Sequence, residues 1–306
     1  MKVLVATQKP FAPVAVQGIK EILAAEGHEV LMLEKYAGQS DLEAAVADVE
    51  AMIIRSDKVT AEVIAAAPKL KIVVRAGAGY DNVDLAAATA AGVVVMNTPG
   101  QNANAVAELA VAMMIFMART QFTPATGSEV AGKTIGIQAY GNVGRLVGQK
   151  AAALGMKVRA LDPFLSAEQI SAAGAEPVTS LEELYAGSDY LSIHIPATPQ
   201  TVGSIGYELI TRMPKGATLI NTARKEVIDE AGLEKALEDR PDLKYAADVA
   251  PDNIAAMQEK FGLRVFATPK KMGAQTSEAN INAGLAAARQ IAAFFKTGDR
   301  RFQVNK

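Results

Sequence analysis

Two adjacent lysines, Lys270 and Lys271, follow Thr268-Pro269 and are the residues best suited to move a proton. A neutral amine accepts the proton of a substrate hydroxyl, and an ammonium group returns it. An ordinary lysine has a pKa of about 10.4, so this role requires neighbours that lower the pKa. The alternative is that the two lysines form only a solvated turn.

A glycine-containing loop lies near the middle of the chain, where residues 139–144 read Ala-Tyr-Gly-Asn-Val-Gly between a strand pattern and a helix pattern. This order is the context that the dinucleotide fingerprint requires. Gly141 allows a pyrophosphate to approach the backbone, and Gly144 allows helix and strand to pack closely. Ala139 stands in place of the first glycine. We therefore predict a cofactor loop formed by Tyr140, Gly141, Asn142, Val143 and Gly144.

A carboxylate, Asp162, follows the next strand pattern. At that position an acid accepts hydrogen bonds from both ribose hydroxyls and repels a 2′-phosphate, which predicts NAD as the cofactor. The alternative is a tight turn in which Asp162 caps the following helix.

Length and composition restrict the class of protein. A chain of 306 residues exceeds the usual size of one domain, and its net charge is only -2. We therefore expect neither a nucleic acid nor a membrane as a partner. The absence of cysteine excludes disulfides and thiolate sites and fits a cytoplasmic protein, and with two histidines we predict no metal site. The first residues read as a strand, not as a signal peptide.

Strand patterns alternate with helix patterns, which predicts an α/β protein with parallel sheets. The first core holds a helix at 16–25 and strands at 3–6, 29–33, 51–55, 72–75 and 93–97. A helix at 102–119 leads to a second core, with strands at 134–138, 157–161, 190–194, 218–221, 245–249 and 265–267. A helix at 277–296 returns to the first core, before a tail at 301–306. We predict two doubly wound parallel-sheet domains: a Rossmann domain, residues 99–282, inserted into a flavodoxin-like substrate domain, residues 1–98 and 283–306.

Several motifs occur in order: Arg-Ala-Gly-Ala-Gly-Tyr-Asp-Asn-Val-Asp at 75–84, Asn-Thr-Pro at 97–99, the cofactor loop, and Asn-Thr-Ala-Arg at 221–224. With these motifs the chain resembles the D-isomer-specific 2-hydroxyacid dehydrogenases, and within them the short phosphoglycerate dehydrogenases that carry a lysine. The resemblance covers nearly the whole chain. It implies NAD-dependent oxidation of D-3-phosphoglycerate to 3-phosphohydroxypyruvate, by hydride transfer, at the entry to serine synthesis.

The resemblance implies substrate contacts in both domains. Arg224 would bind the carboxylate and polarise the C2 oxygen, as a guanidinium can through two parallel hydrogen bonds. The alternative is a surface arginine that caps the helix near Asp229. Ala76, Gly77, Ala78 and Gly79 would contact the same carboxylate, the last three through backbone N–H groups, while Arg55 and Arg75 would face the phosphate.

The resemblance also implies cofactor contacts beyond the glycine loop. Asp248 would hydrogen-bond the nicotinamide carboxamide. His194, Pro196 and Thr198 would line the cofactor, together with Thr222 and Ala223. His194 is the other acid–base candidate, but its position at a strand end favours a structural or cofactor-side role.

One departure from the family concerns the proton carrier. Most members have a histidine after Thr-Pro, oriented by a glutamate, whereas this chain has lysines and places Asn253 where the glutamate is expected. A glutamate would raise the pKa of a lysine, while Arg224 and the second lysine would lower it. Counting from Thr268-Pro269 selects Lys270, and counting back from Gly273 selects Lys271; we favour Lys271 and keep both.

Two other functions and one assembly remain open. The substrate could be glyoxylate, hydroxypyruvate or another small 2-oxo acid, or the chain could be an NAD-sensing co-regulator without turnover. The helix at 102–119 resembles the family's dimer contact, which predicts a homodimer through the NAD domain. Its apolar residues need either such a partner surface or an intramolecular core, and the sequence does not separate the two: Met113, Met114, Ile115, Phe116 and Met117.

Overall fold

The computed structural model describes residues 1–305; Lys306, the end of the predicted tail, lies outside them. The chain divides into two compact units. Unit 1 comprises Met1–Asn102 and the segment from Gln275 onward, and unit 2 comprises Ala103–Ala274. The sequence places the corresponding boundaries after residues 98 and 282.

The strands of both units are short, mostly of four to six residues. In chain order they are β1 (Lys2–Thr7), β2 (Glu29–Glu34), β3 (Ala51–Ile54), β4 (Ile72–Arg75), β5 (Val94–Asn97), β6 (Thr134–Gln138), β7 (Lys157–Leu161), β8 (Glu176–Pro177), β9 (Tyr190–Ile193), β10 (Thr218–Asn221), β11 (Lys244–Ala247) and β12 (Val265–Ala267). The α-helices are α1 (Pro13–Ala25), α2 (Gln39–Ala45), α3 (Ala61–Ala65), α4 (Leu85–Ala90), α5 (Ala103–Ala118), α6 (Asn142–Ala153), α7 (Ala167–Ala172), α8 (Leu181–Ala186), α9 (Tyr207–Ile210), α10 (Glu230–Asp239), α11 (Ile254–Phe261) and α12 (Ser277–Thr297).

Unit 1 is built on a parallel sheet of order β2-β1-β3-β4-β5, the flavodoxin-like order. Alternate residues of each strand enter two cores on opposite faces, as the two-residue period of a strand requires. Val3 and Ile53 pack with α1 and α12 on one face, while Leu4 and Met52 pack with α2 and α3 on the other. Both faces are covered, so the carboxyl ends of the strands are left to carry a site.

Unit 2 is built on a parallel sheet of order β12-β11-β10-β9-β6-β7-β8. The strand order reverses direction at β6, where β9 and β7 lie on either side, and this is where doubly wound folds bind their ligands. The predicted fold class is confirmed for each unit.

Most of the predicted bounds agree with the structure to within two residues, and two elements differ further. Helix α1 begins at Pro13 instead of residue 16, because proline has a helical φ and needs no N–H partner in the first turn. The two-residue strand β8 was not predicted, since a strand so short has no readable alternation.

Helix α5 buries its methionines within unit 2. Met113, Met114 and Met117 are 2%, 0% and 1% exposed and pack in the core beside β6 and α6. Of the two alternatives left open by the sequence, an intramolecular core therefore covers these three side chains, while Ile115 and Phe116 remain half-buried. Across residues 1–305, no helix combines the length and the apolar character that crossing a bilayer demands.

Candidate active site

Most of the predicted cofactor and catalytic residues follow the carboxyl ends of strands in unit 2. Ala139, Asp162 and His194 follow β6, β7 and β9, while Thr222, Asp248 and Thr268 follow β10, β11 and β12. Because all these strands are parallel, the residues lie along one edge of the sheet.

The cofactor loop has the backbone shape that a pyrophosphate requires. Ala139 adopts φ 73°, a conformation that explains why a glycine is usual at this position. A Cβ on Gly144 would lie 2.2 Å from the Ala139 carbonyl oxygen, whereas a Cβ on Gly141 would meet no atom within 4 Å. Gly141 caps the amino end of α6, whose first N–H groups suit an anion.

The carboxylate of Asp162 holds the cofactor loop by accepting hydrogen bonds from backbone N–H groups. Its Oδ2 accepts the Tyr140 N–H at 2.8 Å and its Oδ1 accepts the Phe164 N–H at 2.9 Å. Each carboxylate oxygen has a further lone pair, so contact with ribose hydroxyls remains available. The side chain of Tyr140 is buried and its hydroxyl donates to the Ala173 carbonyl, which leaves only backbone atoms of Tyr140 for a cofactor.

His194 is a poor proton carrier. Its Nε2 lies 2.9 Å from the Ser192 hydroxyl and its Nδ1 lies 3.4 Å from the Thr222 hydroxyl. Burial lowers the pKa of His194 to about 3, so the ring is neutral at physiological pH. Thr222 and Ala223 beside it are buried, Pro196 is exposed, and the Thr198 N–H donates to Thr201 Oγ1 at 2.8 Å.

Asn221 holds the turn that carries Arg224. Its Oδ1 accepts the Ala223 N–H and its Nδ2 donates to the Arg224 carbonyl, both at 2.9 Å. Arg224 precedes the 3-10 turn Lys225–Val227, and its Nη1 donates to the Ala223 carbonyl at 2.9 Å. The helix α10 is instead preceded by Asp229, so Arg224 does not cap it. Sequence reasoning quoted Asn221 in a motif but missed this positioning role.

Asp248 fixes the loop that carries both lysines. Its carboxylate is 1% exposed and accepts the Met272 N–H at 2.7 Å and the Gly273 N–H at 2.8 Å. The Thr268 hydroxyl lies 3.0 Å from the same carboxylate and 2.8 Å from the Lys270 carbonyl oxygen. A Cβ on Gly273 would be 2.9 Å from Asp248 Oδ2, which explains the glycine. The contact of Asp248 with a carboxamide stays a prediction.

Lys270 and Lys271 are both exposed. They lie between Thr268 and Met272, which both contact the carboxylate of Asp248. Asn253, at the position where a glutamate is usual, precedes α11 and donates from Nδ2 to Glu234 Oε2 at 3.2 Å. Its side chain therefore belongs to a structural contact with α10.

The predicted substrate residues of unit 1 follow β3 and β4, which are neighbours in the sheet. Arg75 Nε donates to the Arg55 carbonyl at 3.0 Å. The guanidinium of Arg75 occupies the space that a side chain on Gly77 would need, since a Cβ there would lie 1.5 Å from Nη1. Asn97, at the end of β5, holds the same loop by donating to the Ala78 carbonyl at 2.6 Å.

Of the three backbone N–H groups expected to contact a carboxylate, that of Gly77 already has a partner within the loop. The Ala76 N–H donates to the Ile54 carbonyl at 2.8 Å and the Gly77 N–H donates to the Arg75 carbonyl at 2.9 Å. The chain extends the β3–β4 ladder by one residue and then turns tightly at Gly77, and the contact of this loop with a carboxylate stays a prediction. The N–H groups of Ala78 and Gly79 make no hydrogen bond to other residues in the part of the chain that the structure describes.

Comparison with known proteins agrees with this site. Residues 105–271, more than half of the chain, match the sequence model of the D-isomer specific 2-hydroxyacid dehydrogenase, NAD binding domain. The chain belongs to this family. Unit 2 is its NAD-binding domain, and the loop, the helix terminus and Asp162 fit that cofactor.

Several relatives bear the name of one enzyme. A crystal structure of NAD+-bound 3-phosphoglycerate dehydrogenase from Entamoeba histolytica is 49% identical, has a TM-score of 0.90, and covers 100% of this chain and 99% of its own. D-3-phosphoglycerate dehydrogenase of Mycobacterium bovis is 38% identical over 262 residues, which are 81% of this chain and 49% of that protein. A glyoxylate reductase from Paecilomyes thermophila is 27% identical, with a TM-score of 0.80 and 99% and 98% coverage. The chain spans about half the length of the curated relatives it matches.

We expect an added methyl group to act differently at the two glycines of the cofactor loop. Gly144→Ala forces a Cβ against the Ala139 carbonyl, so we expect a loss of roughly 1–3 kcal/mol in unfolding free energy. Gly141→Ala meets no protein atom, so we expect a loss below about 1 kcal/mol but NAD affinity reduced about tenfold. Thermal unfolding and calorimetric titration with NAD measure the two effects, and equal destabilisation by both changes would contradict this account.

Proposed function

We propose that this protein catalyses the NAD-dependent oxidation of D-3-phosphoglycerate to 3-phosphohydroxypyruvate. The observation that carries the proposal is the pair of arginines at neighbouring strand ends, joined by the hydrogen bond from Arg75 Nε to the Arg55 carbonyl. Two guanidinium groups suit a doubly charged phosphate, whereas a methyl or hydroxymethyl group offers them nothing to bind. The 49% identity to the Entamoeba histolytica enzyme over the full chain supports the same substrate.

In this proposal each residue has one task. Arg224 binds the substrate carboxylate and polarises the C2 oxygen, on a turn held by Asn221. Lys270 or Lys271 takes the hydroxyl proton as the C2–H bond breaks, on the loop held by Asp248. The loop at 139–144 and Asp162 would hold NAD, which would supply the hydride acceptor. Arg55 and Arg75 hold the phosphate, and the neutral ring of His194 takes no proton.

The wider setting is also a proposal. The product, a phosphorylated 2-oxo acid, would enter serine synthesis, and a chain with no cysteine fits the reducing cytoplasm.

Removing the proton carrier should abolish most turnover. We expect Lys271→Ala, or else Lys270→Ala, to lower kcat by about two to four orders of magnitude, because general base catalysis contributes that much. The measurement is NADH formation from 3-phosphoglycerate by each variant. Lys215→Ala, at an exposed turn before β10, is the control. Full activity of both variants would remove the lysines from the mechanism, and NAD binding without turnover in the unaltered protein would favour the co-regulator.

Removing Arg55 and Arg75 of unit 1 should distinguish a phosphorylated substrate from an unphosphorylated one. Arg55→Ala combined with Arg75→Ala should raise the KM for 3-phosphoglycerate at least about a hundredfold, because each hydrogen bond to a charged group contributes roughly 1.5–3 kcal/mol. Glyoxylate and hydroxypyruvate reduction should change little. Arg289→Ala, an exposed arginine of α12, controls for loss of positive charge. If all three substrates lose activity equally, the phosphate assignment is wrong, and an unphosphorylated substrate becomes the better proposal.

We also propose that the protein is a homodimer through unit 2. An aromatic cluster joins Phe116 to Phe122 and to Phe266, with ring centroids 5.1 and 4.9 Å apart, and Phe122 is 69% exposed. Thr120, Gln121 and Phe122 all have positive φ, at 50°, 55° and 57°. A left-handed conformation costs roughly 1–2 kcal/mol for each such residue, and burying Phe122 against a second copy would offset part of it.

A charge at Phe122 should separate such a dimer. We expect Phe122→Asp to sediment as a monomer at concentrations where the unaltered protein is a dimer, since an exposed apolar contact would become a buried carboxylate. Val202→Asp places the same charge at another exposed apolar residue of unit 2 and should leave the sedimentation coefficient unchanged. Identical sedimentation of both variants would rule out this face.

A further inference from the structure

We propose that Asn280 is a positioning residue that sets the guanidinium of Arg55 and thereby makes unit 1 selective for a doubly charged substrate group. The inference rests on the proposed function, because it assigns Arg55 to the substrate phosphate. Asn280 lies in the first turns of α12, far along the chain from Arg55, and the sequence motifs give it no role.

The guanidinium of Arg55 is held on three sides by uncharged groups. Nη1 donates to the carbonyl oxygens of Lys9 and Pro10, at 3.1 and 3.2 Å. Nη2 donates to Asn280 Oδ1, and the ring of Phe11 lies 5.1 Å below the guanidinium carbon. These bonds use three of the five N–H hydrogens. The Nε–H and the second Nη2 hydrogen have no acceptor within residues 1–305, so both can donate to an anion.

Asn280 cannot rotate away from Arg55 without also breaking a second hydrogen bond of its amide. Its Nδ2 donates to the Thr276 carbonyl at 2.8 Å, and Thr276 caps α12 by accepting the Ala279 N–H on its hydroxyl at 3.1 Å. The two partners also settle the orientation of the amide, because a carbonyl must face the NH2 group and a guanidinium must face the oxygen. The acceptor of Arg55 is therefore fixed to the end of a helix of 21 residues.

An amide suits this position because it orients the arginine without neutralising it. A carboxylate at residue 280 would pair with Arg55 and repel a phosphate, since an opposite charge within hydrogen-bond distance competes with any anion for the same donor. An aliphatic side chain would leave Nη2 without its acceptor and the guanidinium less ordered. The carboxylate of Asp57 already interacts electrostatically with Arg55, and the neutral acceptor at residue 280 adds no second negative charge beside the guanidinium.

Substitution at Asn280 should change substrate preference more than catalysis. We expect Asn280→Asp to raise the KM for 3-phosphoglycerate at least about tenfold, the effect of weakening one charged hydrogen bond, with kcat and the KM for hydroxypyruvate changed less than about twofold. Asn280→Ala should raise the KM for 3-phosphoglycerate by a smaller factor. Asn282→Asp, exposed on the same helix, adds the same charge away from this contact and should leave all three values unchanged.

Combining substitutions at both positions tests whether Asn280 acts through Arg55. In an Arg55→Ala background, Asn280→Ala should have no further effect on the KM for 3-phosphoglycerate, because the group that Asn280 positions is gone. An undiminished effect in that background, or an equal rise in KM for both substrates, would overturn the proposal. Circular dichroism melting of each variant shows whether it is folded, and Asn280→Asp keeps the test available if Asn280→Ala is not.

A binding measurement separates this inference from the proposed reaction. Nitrogen-15 spectra of the full chain can follow the Arg55 Nε–H signal during titration with inorganic phosphate. The signal should shift on titration of the unaltered protein, and at least about tenfold more phosphate should be needed in Asn280→Asp. If 3-phosphoglycerate is not oxidised but this pattern holds, the proposed reaction fails and the positioning role stands. An equal phosphate response in both proteins would overturn the positioning role whatever the substrate is.

Discussion

The buried carboxylate of Asp248 determines the shape of the loop on which the proposed chemistry depends. Two backbone N–H groups and one hydroxyl of the segment after β12 point at one carboxylate that is 1% exposed. A buried charge is tolerated when its lone pairs are satisfied, and breaking such a set costs several times more than an exposed hydrogen bond. The lysines can therefore be exposed at their tips while the backbone beneath them is fixed, and a general base requires that its backbone be placed accurately.

Unit 1 differs from unit 2 in its electrostatics, because Arg55 and Arg75 place two positive charges at neighbouring strand ends. The side-chain hydrogen bonds of Arg55 go to two carbonyl oxygens and an amide, and Arg75 Nε donates to the Arg55 carbonyl. Backbone carbonyls orient a cation without cancelling its charge. Like charges at neighbouring strand ends repel each other, and in the proposed function a bound dianion would relieve that repulsion.

Much of the fold was predictable because it depends on periodicity, whereas the site depends on contacts between distant residues. Strand alternation and the glycine loop were enough to predict β6, α6 and two parallel sheets. The short strand β8 and the proline-led start of α1 carry too little pattern. At the site, the spacing of residues 75–79 predicted a loop with free N–H groups, but the register between β3 and β4 determines which of them are used. The contact of Arg55 with Asn280 joins residues separated by 225 positions, so no local pattern could reveal it.

A lysine and a histidine must be positioned in different ways, which explains why the glutamate that usually accompanies the histidine is also absent. An imidazole needs a second group to choose its tautomer and orient its ring, and a carboxylate does both. A lysine has neither tautomers nor a ring plane, and a nearby carboxylate would only hold its proton more tightly. What a lysine needs instead is a fixed origin for a long flexible side chain. In unit 2 the carboxylate that contacts the loop binds backbone N–H groups of Met272 and Gly273, while Asn253 is turned to Glu234. The negative charge of Asp248 thus fixes the backbone of the loop from which the side chains of Lys270 and Lys271 extend.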